Sequence, residues 1–250
     1  MDHRLTRLAL TGLLALAPGC AAHQANQNQS PASENAAMNT LTPAERAEGW
    51  QLLFDGTHLN HWRGYHSDTL PSAWHAENGV LTKDVSTEDL VSRDQYGNFE
   101  LKFDWKLTPG GNAGVFYRGT EEYDHIYWSA PEYQLLDDAR HPDGKNRLTA
   151  AGSAYALYPS PAGIVKPAGE WNSSRIVVNG AHVEHWLNGT KLLEYTLWSP
   201  DWRAKVAVSK FADYPNYGMA KSGLIGIQGD HNGKLELRNI MIRRTDGQTD

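Results

Sequence analysis

Cysteine is almost missing from this chain: the only one in 250 residues is Cys20. A lone thiol closes no internal disulfide, and paired Cys-x-x-Cys metal chemistry is excluded with it. Zinc and calcium signatures are missing too, because no two histidines lie four residues apart and no EF-hand loop occurs. No glycine-rich loop opens a helix, which removes the phosphate cradle of nucleotide binders, and no Gly-x-Ser-x-Gly elbow marks a serine hydrolase. No cofactor is evident, although an oxygen-ligand cation site near Glu132 and Asp137 stays open. Basic residues number 23 against 29 acidic ones, a net charge of -6, so there is no broad basic surface for nucleic acid. After residue 20 no apolar run approaches the length that spanning a bilayer requires.

What is present begins at the N-terminus. Arg4 and Arg7 precede the apolar run "LALTGLLALA", and "APGC" follows, ending at Cys20. This is the layout of a secretory signal. It resembles a bacterial lipobox, with Pro18 departing from the usual small residue, and implies Cys20 as the lipid-modified first residue of a cell-envelope lipoprotein. Ordinary secretion is the alternative. Residues 21–40, rich in Asn, Gln, Ser and Ala, have no apolar periodicity and read as a flexible polar linker. Residues 41–250 then form the expected folded domain.

In that domain "TPAER" carries the signals of one short helix: Thr42 as N-cap, Pro43 at the first helical position and Glu45 three residues after the cap. Helix signals then nearly vanish. Residues 99–107, "FELKFDWKL", alternate Phe99, Leu101, Phe103, Trp105 and Leu107 against Glu100, Lys102, Asp104 and Lys106, the pattern of a half-buried strand. Residues 175–197 hold Asn179-Gly180 and Asn188-Gly189 between β-prone runs, which predicts two consecutive hairpins. Short strands with turn signals and little helix predict an all-β, antiparallel sandwich or barrel.

Five blocks then occur in order: "GWQLLFDGTHLNHWRG" (49–64), "GNAGVFYRG" (111–119), "EYQLLDD" (132–138), "GEWNSSRIVVNGAHVEHWLNG" (169–189) and "SGLIGIQGDHNGKLELRNIMIR" (222–243). Together they resemble the 3-keto-disaccharide hydrolase domain family over nearly the whole domain. The resemblance implies a concanavalin-like jelly-roll sandwich of secreted bacterial proteins, acting on glycosides whose sugar is oxidised at carbon 3. One departure is "QGDHNG", where Gly229 separates Gln228 from Asp230 and His231. A ketone at carbon 3 acidifies the hydrogen on carbon 2, and loss of that proton expels the group on carbon 1, after which water adds. Such chemistry needs a base, a group for the enolate oxygen and a proton for the leaving oxygen.

Candidate residues follow from strand parity and from loops. Glu132 and Gln134 share one face of a strand, opposite Tyr133 and Leu135, with Asp137 and Asp138 just beyond. Glu132 is the leading catalytic carboxylate, as proton carrier or cation ligand, with Asp137 beside it; a wet strand face is the plain alternative. His185, between Val183 and Leu187 on its strand face, and Lys166, in a loop, complete the catalytic candidates. For substrate binding, Asn112 and Arg118 share parity if 112–118 is a strand, Gln134 and Gln228 offer amides, His141 lies in a rim loop, and "AGEWNSS" offers Trp171 for stacking and Asn172 for a hydroxyl. Nine Trp and eleven Tyr against five Phe favour aromatics with a polar handle, which suits a carbohydrate partner. A conventional glycosidase or a non-catalytic sugar-binding module would use some of the same residues.

Overall fold

The computed structural model describes residues 38–245. The expected signal with Cys20, and most of the expected linker, lie outside the described residues. Among the described residues thirteen strands run in chain order: β1 (Gln51–Leu52), β2 (Trp62–Gly64), β3 (His75–Glu77), β4 (Val80–Lys83), β5 (Leu90–Tyr96), β6 (Phe99–Leu107), β7 (Asn112–Gly119), β8 (Glu132–Leu136), β9 (Asn172–Asn179), β10 (His182–Leu187), β11 (Thr190–Thr196), β12 (Gly223–Ile227) and β13 (Leu235–Arg244). They form two antiparallel sheets. The larger has the order β11-β10-β9-β6-β13-β4-β3, with β1 added on β13, and the smaller β2-β5-β12-β7-β8. The chain is an all-β, concanavalin-like jelly-roll sandwich, as expected.

The alternation in β6 sets the core: Phe99, Leu101, Phe103, Trp105 and Leu107 are buried between the sheets. They meet Ala113, Val115 and Tyr117 of β7 and Tyr133 and Leu135 of β8. The parity of β7 and β8 therefore sends Asn112, Gly114, Glu132 and Gln134 to the other, outward face of the smaller sheet.

Both predicted hairpins form, by different means. Leu187 pairs with Thr190, which leaves Asn188 (φ 50°) and Gly189 (φ 80°) as a two-residue turn with both φ positive, the geometry Asn-Gly favours. In the first hairpin Asn179 still pairs with His182, so Gly180 and Ala181 make the turn. The short helix α1 (Pro43–Ala47) has its capping box complete, Thr42 and Glu45 satisfying each other's backbone N–H. A second helix, α2 (Pro200–Ala207), was not expected; Ser199 caps it by accepting from Trp202 N, with Pro200 next in line.

Folded structure starts before Leu41. Asn39, inside the span read as linker, is buried, its N–H donating to Asn239 Oδ1 at 2.8 Å while Asn239 N–H donates to Asn39 Oδ1 at 2.8 Å. Asn39 Nδ2 donates to Gly79 O at 2.8 Å. Composition hides this because two asparagines need only one another. Asn39→Ala should cost about 2 kcal/mol, as should a chain begun at Leu41. Urea unfolding checks it; equal midpoints would show the clamp to be idle.

Candidate active site

Glu132 opens β8, the edge strand of the smaller sheet, yet only 5% of it is exposed. Loops roof this face into a cleft of about 390 Å³, so the plain reading of a wet strand face is set aside. Its floor is Asn112, Glu132, Gln134 and Gln228; the sides are His141, Asp143 and Tyr155, then Tyr127, Trp128 and Lys210, then Asp230 and His231. Gly114 pairs with Gln134 across the ladder and leaves the space that Glu132 fills. Gln134 Nε2 donates to Asn112 Oδ1 at 3.2 Å. The Oε1 atoms of Gln134 and Gln228 are buried and meet no donor among the described residues. Two open acceptors on a cleft floor suit hydroxyl groups.

Electrostatics single out two residues. Burial pushes the Glu132 carboxyl up to about 8, an effect that Lys210 partly offsets and the charges of Asp230, Asp89 and Asp143 reinforce. Desolvation of the Lys210 ammonium pulls it below its usual value, with Glu132 acting against this. Lys210 as a whole residue is exposed, but its Nζ sits 4.3 Å from the Tyr155 ring centroid and 5.9 Å from those of Tyr127 and Trp128. A cation against aromatic faces is held in place without being neutralised. Acid and ammonium thus approach each other in proton affinity, which suits a site that takes up and releases protons near neutral pH.

The segment that carries Gln228, Asp230 and His231 is held from below. Gln228 N–H donates to Gly114 O at 2.9 Å and Gly229 N–H to the buried Asp89 Oδ1 at 2.7 Å. Lys83 Nζ, also buried, donates to His231 O at 2.5 Å and Gly233 O at 3.1 Å. Burial raises Asp89 to about 7, against its bond from Gly229. A Cβ on Gly229 would lie 2.8 Å from Thr87 O and closer still to Glu88 O, so the extra residue must be glycine. The insertion does not remove Asp230 and His231 from the site: both line the cleft.

Of the residues expected from sequence, the cleft gathers Glu132, Gln134, Asn112, His141 and Gln228. The others lie elsewhere. Arg118 breaks parity because its φ is +54° and the β7–β12 register shifts beside it. Its guanidinium donates to Gly97 O and Asn98 Oδ1 and faces the Trp198 ring. His185 is fully buried between the sheets. Gly152 O can only accept, so His185 Nδ1–H donates to it at 3.0 Å, and Nε2 accepts from Tyr117 Oη at 3.0 Å. Burial lowers this ring to about 4, which keeps it neutral. Asp137 accepts from Gly110 N and Ala139 N, and with Lys166 it lines a different hollow. Asn172 Oδ1 accepts from Lys166 N and Asn188 Nδ2, and Trp171 packs under Lys106 and Arg238. Glu132 and Asp137 therefore do not meet around one cation. Among the described residues the group spaced for a metal ion is His182, Glu184 and Glu194, outside the cleft, with Lys191 Nζ already 2.6 Å from Glu194.

His185→Ala should lower stability by roughly 3 kcal/mol, through the cavity and the unpaired Tyr117 and Gly152 groups. KM for the substrate should stay unchanged. A variant of normal stability with a raised KM would restore His185 to the site.

A hollow of about 460 Å³ on the outer face of the larger sheet is roomier than the cleft. Its Asp104 is already engaged by Ser173, Arg238 and Asn239. The cleft around Glu132 has the open acceptors and the displaced acid, and is the better site. Sequence reasoning missed Tyr127, Trp128, Asp143, Tyr155 and Lys210. Tyr127 and Trp128 stand in the aromatic stretch "HIYW" just ahead of the Glu132 block, a signal that was available. For Lys210, Asp143 and Tyr155 no local pattern exists.

Residues 49–243 match the profile of the 3-keto-alpha-glucoside-1,2-lyase-like domain. A Bacteroides thetaiotaomicron protein named 3-keto-disaccharide hydrolase is 34% identical over 257 residues, spanning 90% of this chain and 88% of its own. A Parabacteroides distasonis crystal structure, provisionally described as that of a glycosyl hydrolase, superimposes with a TM-score of 0.78 at 35% identity, over 84% of this chain and all of its own. A second from the same organism gives 0.58 at 31% identity, over 74% of this chain and all of its own.

Proposed function

We propose a function for this chain, which belongs to the 3-keto-alpha-glucoside-1,2-lyase-like family: it is a glycosidic-bond-cleaving enzyme whose substrates are 3-keto-glycosides. The observation that carries this reading is Glu132, a buried carboxyl raised to about 8 and set beside Lys210 on a polar floor. A base for a carbon acid works best when its proton affinity approaches the operating pH. Glu132 takes the proton from carbon 2, and the electron pair forms an enolate with the carbon 3 ketone. The Lys210 ammonium faces the charge that develops on that oxygen. The enolate expels the carbon 1 oxygen, which receives the proton now held by Glu132, leaving a double bond between carbons 1 and 2. Water then adds to carbon 1 as carbon 2 regains a proton, and the sum is hydrolysis. Gln134, Gln228 and Asn112 hold hydroxyls and fix the ring above Glu132.

The test is to incubate the protein with matched native and 3-keto disaccharides and follow products by mass spectrometry. Cleavage of the keto form alone is expected, with the unsaturated keto-sugar trapped early in the time course. Equal cleavage of both forms would point to an ordinary glycosidase, and cleavage of neither to a binding module. Chelator should leave the rate unchanged if Glu132 moves a proton; loss and metal rescue would make it a cation ligand instead.

A further inference from the structure

A second hollow, of about 440 Å³, opens beside the cleft. Asp230 lines both, and Tyr127 of the cleft stacks on His125 of the hollow, ring centroids 4.8 Å apart and planes 8° from parallel. The hollows around Trp186 and around Asp138 share no lining residue with the cleft. We infer that this adjoining hollow is the leaving-group subsite and that it selects neutral or cationic leaving groups over anionic ones. The inference rests on the function proposed above.

A glycoside cleaved at carbon 1 must place its keto-sugar over Glu132 and its second group in whatever compartment is continuous with that position. The Asp230 wall marks where the bond would cross. The hollow's walls are preformed. Tyr65 Oη donates to Tyr123 O at 2.6 Å and to Thr120 O at 3.0 Å, and His66 Nε2 meets Tyr123 O at 2.8 Å. Asp89 is fixed by Gly229 N–H at 2.7 Å. Its charge is mostly of one sign: Glu88, Asp124 and Asp230 line it with the buried Asp89, and among the described residues the histidines His66 and His125 do but neither lysine nor arginine does. Carboxylates accept paired hydrogen bonds from neighbouring sugar hydroxyls and attract an ammonium, while a carboxylate or phosphate on the leaving group meets like charge.

Three 3-keto-glucosides that differ only at the leaving sugar's sixth carbon test this: glucose, 6-amino-6-deoxyglucose and glucuronic acid. In wild-type protein kcat/KM should fall in the order amine, neutral, acid, with about tenfold or more between the extremes at low salt and less at high salt. In Glu88→Gln/Asp124→Asn the ratio between amine and acid should shrink several-fold. A general loss of folding or rate moves all three alike and leaves that ratio alone, so the readout is specific to the hollow. An unchanged ratio in the variant, or no order in the wild type, overturns the subsite. If the wild type cleaves none of the three, the keto-glycoside reading fails instead. Calorimetric binding of free 6-amino-6-deoxyglucose and glucuronic acid to both proteins then decides the hollow alone: preference for the amine that the variant loses supports it, and equal binding overturns it.

Discussion

Glu132→Gln should slow turnover of a 3-keto-glucoside by about 10²- to 10⁴-fold, because the amide keeps the shape of the carboxyl and loses its proton transfer. Stability should hold or rise, since a buried acid is traded for a neutral isostere. Two pH signatures go with this. In wild-type protein kcat/KM should climb with pH and level off above about 8, where Glu132 becomes the ionised base; the residual rate of the variant should lack that limb. For stability, Glu132 titrates near 4.5 when exposed and near 8 when folded, so the folded chain keeps a proton that the unfolded chain releases in between. Wild type should therefore lose stability relative to the variant as pH rises from about 4.5 to about 8. Full activity in the variant would end the assignment and return the search to Asp143 and Asp230.

Gly114→Ala should be nearly as damaging to the rate while changing one methyl group. The added Cβ would stand 2.8 Å from Glu132 Cδ and Cγ and closer to Oε1, so either the carboxyl moves or the edge strand β8 parts from β7. Gly114 has no positive φ, so alanine is conformationally acceptable and the effect is steric. A loss of at least about 100-fold in kcat is expected, with roughly 1–3 kcal/mol of stability. If displacement of Glu132 is the cause, Gly114→Ala should add little in the Glu132→Gln background. Additive losses in the double variant would show that the glycine serves the site in another way.

Strand parity made much of this legible. The alternation of 99–107 gave β6 its core face, and the spacing of Glu132 and Gln134 put both on one face of β8. Parity says which residues stand together and not what covers them. His185 shares its face with Val183 and Leu187, and only the packing of the second sheet makes that face the core. Arg118 failed for a different reason: one residue at positive φ in a shifted ladder turns the chain off its alternation, and nothing in "NAGVFYRG" announces it. The roof of the cleft is illegible because Asp143, Tyr155 and Lys210 come from loops that meet only through the fold. By contrast α2 carries a local signal, Ser199 as cap and Pro200 at the first helical position, set amid strand signals on both sides.

The Asn39–Asn239 clamp fixes where the described chain enters: Thr40 and Asn239 border the hollow on the outer face of the larger sheet, alongside Lys102 and Asp104. Glu132 looks out from the smaller sheet, across the thickness of the sandwich. A label or probe placed at Met38 itself therefore sits on the far side of the sandwich from the mouth of the cleft. Chemistry done at that end leaves the approach to Glu132 open.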